Sequence, residues 1–121
     1  MKRLILDDSQ IHPAIREQIA GLHRATIEQV EQALTQHAVV VVGMRQNPYP
    51  KRARKALQTA GIAHHYLEYG SYFSEWQRRG ALKRWSGWPT LPMVFVKGVL
   101  VGGATDLKRL IDSGELRQLI G

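Results

Sequence analysis

The stretch "VVVVGMRQNPYPKRARKAL", Val39 to Leu57, decides the fold. Ala38 to Val42 is apolar without alternation, the pattern of a strand covered on both faces. A turn follows, and then Lys51 to Ala60 sets Ala53, Ala56 and Leu57 on one helical face, with Gly61 to close the helix. Asn47-Pro48 has the order of an N-cap followed by proline at the first helical position. The turn "NPYP" at Asn47 to Pro50 lies where strand-to-helix turns often carry chemistry, yet none of its residues is a strong nucleophile.

Working outward, "RATIEQVEQALTQH" reads as the preceding helix, with Thr26 and Gln29 as a capping box and Ile27, Val30 and Leu34 at helical spacing. On the far side, "IAHHYLEY" reads as a second strand, and the strand–helix–strand order implies a right-handed parallel pair. Phe73 to Trp85 reads as a helix ending before the loop "SGWPTLP". "MVFVKGVLVGG" is a hairpin turning about Lys97-Gly98. Thr105 is placed to cap a helix through Ile111, and Ser113 to cap a short last one. The order predicts an α/β fold: a four-stranded mixed sheet flanked by helices.

Residues 24–121 form that domain, and residues 1–23 read as an N-terminal helical extension. Within it Leu4 to Leu6 is an apolar patch, Pro13 opens a helix, and Ile15, Ile19 and Leu22 make a stripe to be buried against the body or a partner. No apolar run approaches the roughly 20 residues of a membrane span, and the start lacks the pattern of a signal peptide, so a cytoplasmic protein with no membrane partner is expected.

The chain has no cysteine, which removes disulfides, thiolate nucleophiles and Cys-ligated metal from its own resources. Its five histidines include no His-x-x-x-His pair, so no metal site is expected. The net charge of +7 favours acidic partners, with basic residues gathered in Lys51 to Lys55 and Arg78 to Arg84. Charge alone supports nucleic acid, since no recognised nucleic-acid motif accompanies it.

Three blocks at kept spacing resemble the glutaredoxins of the thioredoxin-like superfamily: "NPYP" where dithiol members carry Cys-Pro-Tyr-Cys, "WPTLP" at Trp88 to Pro92, and "VKGVLVGGATD" followed by "LIDSGELRQLI". The resemblance implies a glutathione groove built from Tyr49, Arg78, Leu91, Pro92, Gly103, Ala104, Thr105 and Asp106. In it Pro92 is the cis-proline and Leu91 offers backbone to an extended ligand. Arg78 meets the glycine carboxylate, and Gly103 to Thr105 receive the γ-glutamyl carboxylate, with Asp106 at its ammonium. Met44 departs from the usual lysine, with Arg45 beside it as a substitute cation, and Trp88 reads as packing.

The departure that matters is chemical. Asn47 and Pro50 stand where the two cysteines belong, so the site is degenerate and has no catalytic residue for thiol–disulfide exchange. Nor does the chain supply a thiolate for a shared iron–sulfur cluster. The expected function is a redox-inactive binding or adaptor module that requires no cofactor and keeps weak affinity for glutathione, a peptide or a protein partner. The alternative is a disulfide oxidoreductase role that borrows the thiol of glutathione or of a partner.

Overall fold

The four valines Val39 to Val42 divide their side chains between two cores, because successive strand residues face opposite ways. Their strand, β1 (Val39–Gly43), is buried along its whole length. The structure, a computed structural model, describes residues 3–21 and 23–121, so Leu22 of the apolar stripe lies outside the described residues. β1 pairs in parallel with β2 (His65–Glu68) and antiparallel with β3 (Met93–Val96), and β3 pairs antiparallel with β4 (Val99–Gly102), giving the order β2-β1-β3-β4. Lys97 and Gly98, at φ 52° and 79°, supply the two positive φ values that a type I′ hairpin turn requires.

On one face, Val40, Val42, Met93 and Phe95 pack against Val30 and Ala33 of α2 (Arg24–Gln36) and Leu82 of α4 (Trp76–Ser86). On the other, Val39, Val41, Val94 and Val96 meet Ala53 and Leu57 of α3 (Pro48–Thr59), Leu107 of α5 (Ala104–Ser113) and Leu116 of α6 (Glu115–Ile120). Each fully buried leucine contributes about 1.5–3 kcal/mol through removal from water. The Arg117 guanidinium of α6 donates to the Ala60 carbonyl, tying the end of α3 down.

The extension carries α1 (Pro13–Gly21), opened at Pro13 as its sequence indicates. Ile15 and Ile19 remain 45% exposed, so of the two expected coverings, the body or a partner, the body does not bury the stripe at those two residues. Leu4, Ile5 and Leu6 are exposed as well.

Several helix starts differ from the expected ones, and at α2 tertiary contacts claim the expected capping residues. α2 begins at Arg24 after His23, not at Thr26; Thr26 is buried in the first turn, where its hydroxyl accepts from Arg78 Nε at 2.8 Å. Gln29 accepts the Tyr69 hydroxyl at 2.6 Å instead of closing a capping box. α4 begins at Trp76, after a turn in which Ser71 N–H donates to Ser74 Oγ, leaving Phe73 90% exposed. The buried Arg79 holds that turn by donating to the Tyr69 and Ser74 carbonyls. Gly103, not Thr105, caps α5. At the last helix Ser113 Oγ does accept the Glu115 N–H, at 3.3 Å, although the N-cap position is Gly114.

Candidate functional site

The α3 start is built as its sequence suggests. Asn47 sits in extended conformation, and its side-chain oxygen accepts the Tyr49 N–H at 2.9 Å. A helix presents its first-turn amides to whatever stands at the N-cap, and this is where an anion is ordinarily held. Here Pro48 and Pro50 have no N–H, and the Tyr49 N–H is taken by Asn47. Every donor of the first three helical positions is therefore absent or occupied. Pro50 is also fully buried: a Cβ built on Gly43 would stand 2.8 Å from the Pro50 Cβ and 2.9 Å from the Tyr66 hydroxyl. The place that the resemblance gives to a second cysteine is thus filled by a buried proline ring close to Gly43. Burial and the nearby Glu68 push the Tyr66 phenol up to about 12, so it stays neutral.

The second helix start at this end of the molecule is open. Gly102 takes φ 123°, and a Cβ there would run into the Asp106 carboxylate, so the chain can reach α5 this way only with glycine. Asp106 reaches back to accept the Gly103 N–H at 3.0 Å. Among the described residues no side chain caps the amides that follow, and Ala104 and Thr105 stand at the positive end of the α5 dipole.

Between the two helix starts lies a groove of about 530 Å³. Asn47, Tyr49 and Met44 form one side; Gly103, Ala104, Thr105 and Asp106 form the other; Leu91 and Pro92, joined by a cis peptide bond, lie between them. Of the residues the resemblance implied, the structure brings together seven: Tyr49, Leu91, Pro92, Gly103, Ala104, Thr105 and Asp106. Arg78 is not among them. Its Nε donates to Thr26, its Nη1 contacts Glu75 at 2.7 Å, and its guanidinium lies 4.9 Å from the Tyr69 ring centroid, away from the groove. Burial raises the Tyr69 phenol above its ordinary value, with Arg78 opposing. Nor does Arg45 replace the cation missing at Met44; it faces Glu68 at 3.8 Å.

The cation in the groove is Lys83. Five residues on a helix are a rotation of about 140°, so Arg78 and Lys83 cannot share a face of α4. That rotation separates the two basic residues, and the structure, not the sequence, selects Lys83 as the one that lines the groove. Trp88 lines the groove as well as packing on the core, and its indole N–H is buried without a hydrogen-bond partner among the described residues. It lies 3.6 Å from where a Cβ on Gly103 would stand, beside the open start of α5. Among the described residues no three His, Asp or Glu side chains are placed to hold a metal ion, and no helix is long and apolar enough to cross a membrane.

Known proteins resemble this chain in sequence and in fold. A "Glutaredoxin-like protein" of Dictyostelium discoideum is 44% identical over 98 residues, covering 81% of this chain and 80% of that one. Human glutaredoxin-3 is 36% identical over 86 residues, 69% of this chain but 26% of its own length. Among solved structures, reduced glutaredoxin C1 from Populus tremula x tremuloides superimposes with a TM-score of 0.72 at 24% identity, covering 84% of this chain and 86% of that one. A buckwheat glutaredoxin–glutathione complex gives 0.70 at 22%, covering 82% and 90%. At those identities the two structures speak to the thioredoxin-like fold alone. The glutaredoxin family model matches residues 39–101, more than half of the sequence, and with the Dictyostelium relative this places the chain in the glutaredoxin family.

Proposed function

We propose that this protein is a glutaredoxin-fold binding module without redox chemistry of its own, whose groove takes glutathione or a short peptide through its α5 side alone. The observation that carries the reading is the asymmetry of the two helix starts. The α3 amides that would hold a sulfur anion are absent or occupied, whereas the α5 amides are uncapped beside Lys83 and the unpaired Trp88 N–H. The residues suit glutathione: the volume falls within the usual 300–1,000 Å³ of small-ligand sites, about that range. A carboxylate has Lys83 and the α5 dipole, and an ammonium has Asp106. The buckwheat relative, solved with glutathione, adds support from the family.

Without a mixed disulfide, affinity rests on polar contacts. Each charge-assisted hydrogen bond contributes about 1.5–3 kcal/mol before the cost of association, which leaves millimolar to high-micromolar binding. Two assays test the reading. Glutathione-dependent reduction of a small disulfide proceeds at the uncatalysed rate, and Lys83→Glu abolishes glutathione binding while Arg78→Glu leaves it unchanged. A rate above the uncatalysed one overturns the redox-silent reading; binding indifferent to Lys83→Glu overturns the placement of the ligand.

A further inference from the structure

The groove does not end at Tyr49. Tyr49, Ala104 and Thr105 also line a hollow of about 370 Å³ between α3 and α5, and that hollow shares Arg52, Ala56, Lys108 and Asp112 with a second, of about 480 Å³, further along the same seam. Small residues explain the channel: Ala56 on α3, Ala60 at its C-cap and Ala104 on α5 hold no side chain large enough to fill the space between the helices. From Tyr49 to Ala60 the seam runs about 16 Å along the α3 axis, at about 1.5 Å per residue. That length accommodates about five residues of extended chain.

Its walls are cationic. Arg52 and Lys55 rise from α3, Lys108 and Arg109 from α5, and the one acid in the seam, Asp112, is held by Lys108 at 3.2 Å. We propose that the α3–α5 seam is a docking track for an acidic linear segment of a partner protein, entered from the groove beside Pro92. Carboxylates on such a segment meet the cations of both walls, and small apolar side chains rest on the alanine floor. A single-stranded nucleic acid fits less well, because it depends on successive aromatic platforms and the seam has one aromatic residue, Tyr49, at its mouth. The proposal goes beyond the glutathione reading and does not need it.

The test is fluorescence anisotropy of a fluorescein-labelled Glu-Ala-Glu-Leu repeat peptide against the full chain, at low and at physiological ionic strength. Lys55→Glu with Arg109→Glu changes one cation on each wall and weakens binding about tenfold or more. Arg84→Glu with Lys97→Glu carries the same charge change away from the seam and alters binding less than about twofold, as expected of cations that touch no peptide. Ala56→Leu, which fills the floor and leaves the charge intact, also weakens binding, and a Gln-Ala-Gln-Leu peptide fails to bind. Circular dichroism establishes that each variant is folded. Equal losses in the seam and control pairs overturn the proposal by reducing the attraction to net charge. Tighter binding of oligothymidylate, lost through the same seam variants, overturns it in favour of nucleic acid. Peptide binding in the absence of any glutathione binding upholds the track and removes only the groove reading.

Discussion

Installing a thiol at Asn47 tests how thoroughly the α3 start has been closed to an anion. Asn47→Cys removes the cap and frees the Tyr49 N–H, but Pro50 still offers no donor at the third helical position. The double change Asn47→Cys with Pro50→Ala restores that donor. A charge-assisted hydrogen bond is worth about 1.5–3 kcal/mol, and a pKa unit corresponds to about 1.4 kcal/mol, so one added donor lowers a thiol by about 1–2 units. Starting from an ordinary thiol near 8.5, about one bond's worth of stabilisation leaves the single variant near 7, and the double variant lies about 1–2 units below it. The assay is the pH dependence of alkylation by iodoacetamide, with thiolate ultraviolet absorbance as an independent titration. Because Pro50 is fully buried beside Gly43, thermal melting establishes that the double variant is folded. Coincident titrations in the two variants would refute the argument, since they would mean that the missing Pro50 amide does not matter. Turnover of the single variant at family rates would refute it more broadly.

Three further outcomes follow from the geometry. Gly102→Ala places a Cβ against the Asp106 carboxylate at a φ that disfavours side chains, so it destabilises the fold by about 1–3 kcal/mol, read by denaturant titration, and weakens any ligand at α5. Trp88→Phe keeps the packing but removes the unpaired indole N–H; it leaves the melting temperature within a few degrees and weakens glutathione binding about tenfold, and unchanged affinity would show that no ligand uses that donor. His64, half-buried, is held below its ordinary 6.5 chiefly by burial, with Arg54 and His65 adding to the effect and a bond to the Ile62 carbonyl opposing it. The unfolded chain therefore binds this proton first: stability is intact above about pH 6.5, falls as pH drops below it, and levels off below the folded value. His64→Gln flattens that part of the profile in thermal melts, and an unchanged acid limb would contradict the assignment.

The strands and the hairpin were legible because their signals are local. Unbroken valines mark a doubly covered strand, and Lys97-Gly98 between β-rich runs marks a tight turn. The α3 cap was legible for the same reason, since Asn47, Pro48 and Tyr49 are adjacent in sequence. The α2 and α4 starts were not. Thr26 and Gln29 have the local pattern of a cap, but their partners, Arg78 and Tyr69, lie 52 and 40 residues away. Arg78 lies off the groove for a rotational reason: the sequence supplies a basic cluster on α4, and only the folded helix shows that Lys83 is the member that lines the groove. The seam between α3 and α5 depends on two helices far apart in sequence, so its alanine floor and opposed cations could not be assembled from either segment alone.

The groove, on these observations, binds without holding sulfur. A titration of the isotope-labelled protein with glutathione, repeated with S-methylglutathione, separates sulfur contacts from all others. Equal affinities within about twofold are expected, because blocking the sulfur removes no contact at a helix start that offers no amide, with shifts at Gly103, Ala104 and Thr105. Glutathione binding about tenfold tighter than its S-methyl form, with shifts centred on Tyr49, would contradict it.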